Sequence, residues 1–280
     1  MFITSQNSPP VFKDLTLVMP AVAVGNVGQL AVDLLISTLD LPRVGYLHTD
    51  CLIPMAGNNP YATGKEDAGE LHTAAEVYAA PELKIAVLQI RAPVVKTKSR
   101  RFRQLLLSWI KASGFSRTLV LSSSHAYHRD DQQLQGTPLR YLITPSLLKS
   151  SGDAFKELGW REMEKVPLRP GRSGAEEPRL YVPGGGITKG LFVDSCAENV
   201  PLAVLLVFCS EGDNVPDALK LVGHLDDWLR LLGEPVSPSF RKDAAGDRRH
   251  RVCCDKYYIS LQVRESFVHL LMPATNCQGR

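Results

Sequence analysis

The sequence predicts an α/β protein, a three-layer sandwich with a mixed central sheet. Two observations support this prediction: short continuous apolar runs typical of buried strands, and longer stretches whose apolar residues recur at helical spacing. The two kinds of segment alternate along the chain, which favours helices covering a sheet over a helical bundle or a β-sandwich. With 280 residues and 44% hydrophobic content, the chain can bury one sizeable core.

The first part of the chain predicts a strand, a loop of small residues and a helix, followed by a second strand and a hairpin. Asn26 and Gln29 stand where a capping box would start the helix. A turn-rich stretch, Asp50–Gly69, contains Asn58 and Asn59 and is long enough for a binding role. In order, the predicted elements are a strand at Leu15–Met19, a helix from Val27 to Thr38, a strand at Val44–His48, and a hairpin of Glu76–Ala79 with Leu83–Arg91.

The second part continues the alternation. Gly114 closes an amphipathic helix, and Asn214 with Pro216 opens the last one. Between Lys149 and Pro178 the sequence turns polar and rich in Gly, Pro and Glu, which predicts a mobile insertion. The predicted elements are a helix around Phe102–Ile110, strands at Thr118–Ser122, Arg179–Val182 and Leu202–Phe208, a helix carrying Leu191 and Phe192, and a final helix with apolar residues from Ala218 to Leu232.

The charge distribution divides the chain near residue 234. Residues 235–280 hold eight Lys or Arg against four Asp or Glu, whereas the rest is balanced at 24 against 25. We therefore predict a single α/β domain over residues 1–234 and a basic C-terminal tail over 235–280 that is poorly ordered or loosely docked.

Composition also narrows the class of partner. The net charge of +3 gives no indication of a nucleic-acid partner or of an acidic membrane surface. No apolar run approaches the ~20 residues of a membrane span. The N-terminal residues lack the pattern of a secretory signal, so we expect a protein of the cytoplasm and nucleus. The six cysteines are too few and too irregularly spaced for a disulfide framework and are interpreted as thiols.

Two glycine-containing loops invite a phosphate-binding interpretation, because glycines let backbone amides approach an anion at a helix start. These are Asn26, Gly28 and Gln29 after the first strand, and Gly184, Gly185 and Gly186 before a later helix. Neither matches the order of a P-loop or a dinucleotide-binding fingerprint. Close-packed turns are the favoured interpretation.

No set of catalytic or metal-binding residues emerges. Ser122–Ser124 precede His125 at a strand end, but without a nucleophile elbow these serines are expected to satisfy backbone groups. His125 and His128 lack the further ligands that zinc requires. We therefore expect no catalytic residue, metal or cofactor, and a protein that is not an enzyme.

The densest basic run, Lys96–Arg103, opens the helix that Gly114 closes. Without interleaved aromatic residues it is not typical of nucleic-acid binding. A solvated helix face is the favoured interpretation, and a protein partner is the alternative.

Taken together, several segments resemble the proteasome assembly chaperone 2 family over most of positions 10 to 234. They occur in the same order, which makes the resemblance specific although each piece is short. The segments are Met19–Ala31, Tyr46–Leu52, Gly57–Tyr61, Val120–His125, Tyr141–Ser146, Pro183–Lys189 and Ser210–Ala218.

The resemblance implies an architecture similar to nucleoside phosphorylases without their activity. It also implies a heterodimer with proteasome assembly chaperone 1, which binds proteasome α-subunits, promotes the α-ring and prevents aberrant α-ring dimers. Family members commonly dock through a C-terminal hydrophobic-tyrosine-any tail. This chain ends Gln278-Gly279-Arg280, so that anchor is not expected here.

Two hypotheses follow for the loops. In the first, the residues around Asn26, Gly28, Gln29, Asn58, Asn59 and Gly184–Gly186 form protein-interaction surfaces on a regular scaffold. In the second, the chain is an α/β protein or enzyme that binds a nucleoside-like small molecule. The glycines at presumptive helix starts motivate this hypothesis.

Overall fold

The structure is a computed structural model that describes residues 2–62, 68–166 and 179–232. The predicted basic tail, 235–280, lies outside the described residues, as does the part of the predicted insertion from 167 to 178. The prediction of a domain boundary near residue 234 therefore stays a prediction.

The described part of the chain is built of strands and helices, with five strands in succession between the first helix and the second. The strands are β1 (Phe2–Thr4), β2 (Thr16–Pro20), β3 (Arg43–Leu47), β4 (Ala56–Gly57), β5 (His72–Thr73), β6 (Ala75–Ala80), β7 (Ile85–Ile90), β8 (Arg117–His125), β9 (Leu139–Ile143), β10 (Lys165–Val166), β11 (Arg179–Leu180) and β12 (Leu202–Cys209). The helices are α1 (Val27–Thr38), α2 (Ser99–Ser113), α3 (Asp131–Leu134), α4 (Pro145–Glu157), α5 (Thr188–Ala197) and α6 (Val215–Leu229).

Eight strands form the central sheet in the order β1-β3-β6-β7-β2-β8-β12-β9. The four middle strands, β7, β2, β8 and β12, run parallel to one another. On either side the remaining strands pair antiparallel with their neighbours, β6, β3 and β1 at one edge and β9 at the other. The predicted mixed central sheet is thus confirmed, and the carboxyl ends of four parallel strands meet at one edge.

Helices cover both faces of this sheet, because the middle strands are apolar on both sides. Alternate residues of β12 enter different cores: Leu206 packs with α2 and α5, whereas Leu205 packs with α1, α4 and α6. Burying a side chain of this size contributes roughly 1.5–3 kcal/mol. The helices on one face, the sheet, and the helices on the other face are the three predicted layers, with one core on each side of the sheet.

Most predicted elements are present with bounds close to those expected, including the hairpin of β6 and β7 and the closure of α2 by Gly114 in a left-handed conformation. The prediction of a mobile insertion that starts at Lys149 is wrong for the first part of that segment. Helix α4 continues to Glu157, because Phe155 is buried against the rings of Trp160 and Trp228. Strands β1 and β9 were not predicted.

The predicted capping box at the start of α1 is also wrong. Asn26 has a left-handed backbone with φ of 53°, and its side chain makes no capping hydrogen bond. Gln29 turns inward instead, and its Nε2 donates to the carbonyl oxygen of Ile90 at 3.0 Å. Among the described helices, none is long and apolar enough to cross a membrane.

Candidate protein-interaction site

The carboxyl edge of the parallel strands gathers the loops that the sequence singled out. In open α/β sheets this edge is where functional loops collect, since each strand ends there and the chain leaves for a helix. Residues 21–26 follow β2, residues 126–128 follow β8, and residues 183–186 precede α5. We call residues 21–26, 122–125 and 183–186 together the glycine junction.

Hydrogen bonds join the three parts of the glycine junction. The amide of Val24 donates to the carbonyl oxygen of Gly184 at 2.8 Å. The hydroxyl of Ser123 donates to the carbonyl oxygen of Val24 at 2.5 Å, and that of Ser124 donates to the carbonyl oxygen of Pro183 at 2.8 Å. The expectation that these serines satisfy backbone groups is confirmed for Ser123 and Ser124.

Close backbone contacts explain two of the glycines. A Cβ at Gly28 would lie 2.2 Å from the carbonyl oxygen of Leu121, and one at Gly186 would lie 2.0 Å from that of Val22. Gly186 also has φ of +58°, a conformation that side chains disfavour. The close packing is confirmed at both positions, but only Gly186 lies in a turn, because Gly28 belongs to the first turn of α1. Carbonyl oxygens, not open space, lie beside these glycines.

The predicted loop residues divide into buried and accessible ones. Three of them are buried beneath or within the glycine junction: Gly28, Gln29 and Gly185. Two are exposed, Gly184 and Gly186. Asn26 is half-buried on the same junction. The structure therefore brings the two glycine loops together, and their accessible part is the pair Gly184 and Gly186.

Asn58 and Asn59 belong to a different segment. Asn58 is exposed, and Asn59 accepts a hydrogen bond at its Oδ1 from the amide of Tyr61 at 2.9 Å. Within residues 2–62, 68–166 and 179–232, no hydrogen bond joins either asparagine to the glycine junction. Their position is set instead through Tyr61.

Tyr61 is held by a buried charged network that the sequence did not reveal. Its hydroxyl donates to Oδ1 of Asp33 at 2.5 Å and accepts from Nη2 of Arg91 at 2.7 Å. Gln89 Nε2 donates to the same Asp33 oxygen at 2.6 Å. Burial raises the pKa of Tyr61 well above its ordinary value, and the charge of Asp33 adds to the effect, so this hydroxyl keeps its proton.

An exposed aromatic cluster adjoins the glycine junction. Ring centroids are 4.8 Å apart for His125 and Tyr127, 4.4 Å for Tyr127 and His128, and 5.8 Å for His128 and Tyr181. Tyr127 is 72% exposed and Tyr181 is 47% exposed. The ring of His125 packs directly on the backbone of Gly184, which joins this aromatic cluster to the junction.

Sequence reasoning considered His125 and His128 only as metal ligands or catalytic groups and did not single out Tyr127 or Tyr181. A cluster of exposed aromatic rings is typical of protein interfaces, because large rigid rings bury area at low entropic cost. The adjacent Tyr127 and His128 after a buried strand were the available signal. Tyr181 could not be added without knowing that β8 ends beside residues 181–184.

The hydroxyls at the end of β8 have structural partners. Ser122 Oγ lies 2.6 Å from Oγ1 of Thr188, and both side chains are buried. This bond fixes the start of α5 to the sheet. Among the residues that the structure describes, no group of three or more His, Cys, Asp or Glu side chains could hold a metal ion.

Several known proteins with similar sequences are named proteasome assembly chaperone 2. Proteasome assembly chaperone 2 of Danio rerio is 64% identical over 239 residues, 85% of this chain and 92% of the relative. The Homo sapiens protein of that name is 52% identical over 237 residues, 85% of this chain and 89% of the relative. That of Nematostella vectensis is 46% identical over 227 residues, 80% and 92% of the two chains.

Solved structures share the fold at low sequence identity. Pyrococcus furiosus PbaA, described as an archaeal homolog of proteasome-assembly chaperone, superimposes with a TM-score of 0.62 at 14% identity, covering 96% of this chain and 97% of that one. Pyrococcus furiosus PbaB, described as an archaeal proteasome activator, gives a TM-score of 0.55 at 16% identity over 95% and 97%. The family model named PAC2 family matches residues 17–234. The chain therefore belongs to the PAC2 family and, within it, resembles proteasome assembly chaperone 2.

Proposed function

We propose that this protein is a chaperone of proteasome assembly that works as a heterodimer with proteasome assembly chaperone 1. In this proposal the heterodimer binds proteasome α-subunits, promotes the α-ring and prevents aberrant α-ring dimers. The names of relatives at 46–64% identity support the general role. The protein would act in the cytoplasm and nucleus, without enzymatic activity, cofactor, nucleic acid or membrane.

The observation that supports a protein-binding role best is the exposed aromatic cluster on the glycine junction. Tyr127 projects from a segment that hydrogen bonds and close backbone contacts fix in place. A rigid platform lowers the entropy lost on binding, and tyrosine is enriched among the residues that contribute most to interfaces. We assign this surface to the contact with the partner chaperone.

Co-expression with proteasome assembly chaperone 1, followed by native mass spectrometry of the purified complex, tests the proposal. A one-to-one heterodimer is expected. Tyr127→Ala should weaken it by roughly 10- to 30-fold, the loss typical of an interface residue that contributes strongly. Val11→Ala is the matched control, because Val11 is 73% exposed and precedes β2, at the opposite edge of the sheet.

The possible outcomes test the heterodimer and the assignment of the aromatic cluster as its contact surface separately. If the wild-type chain remains monomeric in the presence of the partner, the heterodimer proposal is wrong. If the heterodimer forms but Tyr127→Ala and Val11→Ala behave alike, the chaperone role stands and the aromatic cluster is not the contact.

A further inference from the structure

The start of helix α2 carries an unusual concentration of positive charge. Five basic side chains lie within residues 96–103: Lys96, Lys98, Arg100, Arg101 and Arg103. Lys98 occupies the N-cap position without a capping hydrogen bond, and the first turn contains no acidic residue. The N-terminus of a helix is itself partially positive, so cations there are disfavoured. This arrangement opposes the stability of the helix.

Two carboxylates compensate only part of this charge. Asp50 Oδ2 lies 2.9 Å from Lys98 Nζ and 3.2 Å from Arg101 Nη1, and Asp194 Oδ2 lies 2.6 Å from Arg103 Nε. In the described ranges, Lys96 and Arg100 make no salt bridge and are exposed. Two cations thus remain available to another carboxylate.

Asp50 shows how this surface receives a carboxylate. Its pKa is lowered chiefly by the hydrogen bond from Lys98. Desolvation opposes this effect, and the charges of Arg101 and Lys98 add to the lowering. The side chain is half exposed, so the contact forms at the rim and not in the core. A carboxylate of a second chain would meet Lys96 and Arg100 at the same helix start.

An exposed apolar residue, Ile53, follows Asp50 by three residues. Ile53 is 49% exposed, and its amide donates to the carbonyl oxygen of Pro93 at 3.1 Å. The amide of Val95 donates to the carbonyl oxygen of Cys51 at 2.9 Å. These two bonds tie the segment that begins at Asp50 to the residues that lead into α2. The backbone segment that carries Ile53 and the segment that leads into the cations are therefore fixed to each other.

We propose that this surface, formed by Ile53, Lys96, Lys98, Arg100 and Arg101, binds an acidic segment of a protein partner in which an apolar residue accompanies the carboxylates. We call it the basic patch. The surplus of cations supplies the charge complementarity, and Ile53 supplies an apolar contact. The proposal rests on the proposed function only for the expectation that this partner takes part in assembly.

A protein segment is favoured over a nucleic acid because the basic patch offers no stacking platform. Single-stranded nucleic acids are held by aromatic side chains as well as by cations. The aromatic residue of the basic run, Phe102, is fully buried in the core beneath α2. Nucleic-acid binding is therefore an outcome that the experiment must be able to detect.

The experiment measures fluorescence anisotropy of a labelled short peptide of alternating glutamate and leucine residues titrated with the full chain. A peptide with glutamine in place of glutamate and a single-stranded RNA of comparable length are titrated under the same salt conditions. The variant Lys96→Glu with Arg100→Glu is expected to weaken binding of the acidic peptide at least ~10-fold. It should leave the fold intact, since neither side chain has an ionic partner among the described residues.

The matched control is Lys13→Glu with Lys149→Glu, which makes the same change in net charge at two exposed positions outside the basic patch, one beside the C-terminal end of α2 and one in α4. It is expected to change the affinity by less than ~2-fold. Equal weakening by both variants, equal binding of the glutamine peptide, or tighter binding of RNA would each overturn the proposal, as would no binding by the wild-type chain. If the reversed charges reduce folding, Lys96→Gln with Arg100→Gln gives the same readout. A missing heterodimer with proteasome assembly chaperone 1 does not affect this measurement.

Discussion

Arg91 and Asp33 form an ion pair in the interior, with Nη2 of the guanidinium 2.9 Å from Oδ1 of the carboxylate and the two side chains 5% and 3% exposed. Arg91 follows β7 and Asp33 lies in α1, so the pair joins the sheet to a covering helix. Tyr61 and Gln89 donate further hydrogen bonds to the same carboxylate. The turn that carries Asn59 is thus anchored to the core through charged groups.

The first prediction concerns this ion pair. Asp33→Asn leaves the guanidinium of Arg91 buried without its counter-charge, and arginine does not lose its proton in proteins. The free energy of unfolding is expected to fall by about 3–5 kcal/mol, measured by urea denaturation. The control Asp217→Asn removes the partner of a longer, more exposed pair with Lys220 at 3.8 Å and should cost less than ~1 kcal/mol. Equal losses in the two variants would contradict the structural role of the buried pair.

A second prediction concerns Glu76, whose carboxylate is fully buried in β6. Oε2 lies 2.7 Å from His72 Nδ1 and accepts from the hydroxyl of Tyr78 at 2.8 Å, and Oε1 accepts from the amide of Thr73 at 2.9 Å and from Arg43. Burial alone raises the pKa of Glu76, but the hydrogen bonds and charge of His72 and the other donors outweigh it. The pKa in the folded state is therefore below the ordinary carboxyl value.

A lowered folded-state pKa means that the stability contributed by Glu76 is present above the ordinary carboxyl pKa, about 4.3, and is lost as the pH falls through the folded value. Glu76→Gln should therefore be less stable than the wild type near neutral pH, and the difference should shrink below about pH 4.3. Urea denaturation at a series of pH values measures it. The exposed Glu82→Gln should differ from the wild type by less than ~0.5 kcal/mol at neutral pH. A difference for Glu76→Gln that grows on acidification would refute this assignment.

Elements with a local signal could be predicted from the sequence. Helix α2 shows apolar residues at Phe102, Leu106 and Ile110, four residues apart, and Gly114 supplies the left-handed residue that ends it. Strand β9 gave no such signal, because its Arg140 is polar yet fully buried. That burial depends on the carboxylate of Glu164, 2.8 Å away and 24 residues later. No local pattern contains this partner.

The candidate site could be predicted only where a local sequence signal marks it. The glycine loops were found because glycine is informative wherever the backbone must come close to another chain segment. The aromatic cluster was not found, since Tyr127 and Tyr181 are far apart in the sequence and meet only when β8 ends beside the loop before α5. The charged network around Asp33 likewise depends on distant residues, so spacing alone could not reveal it.

A third prediction compares two glycines of different surroundings. Gly186→Ala would place a methyl group within 2.0 Å of the carbonyl oxygen of Val22 at φ of +58°, so the glycine junction must shift. We expect the free energy of unfolding to fall by more than ~1 kcal/mol. Gly223→Ala is the control: it lies inside α6 with nothing near its Cβ position and should stabilise the protein by ~0.5–1 kcal/mol. Thermal unfolding of the two variants measures both effects, and a neutral Gly186→Ala would show that the junction is looser than described.

The fourth prediction tests the small-molecule alternative raised by the glycine loops. Inorganic phosphate and nucleosides are titrated against the chain while its thermal unfolding is followed. A ligand that binds only the folded state must raise its stability, by ~2.7 kcal/mol at a hundred times its dissociation constant. For a protein of this size each kcal/mol raises Tm by ~2–4 °C.

No saturable shift is expected, because the carbonyl oxygens of Leu121 and Val22 fill the space beside Gly28 and Gly186, where an anion would need donors. A rise in Tm that reaches a plateau with nucleoside, and that Gly186→Ala reduces, would instead locate a ligand at the glycine junction. A rise that follows salt concentration without a plateau, and that sodium sulfate reproduces, would reflect solvent exclusion and leave this prediction intact. Whether the rise in Tm reaches a plateau with nucleoside therefore tests the small-molecule hypothesis for these loops against the protein-interaction hypothesis.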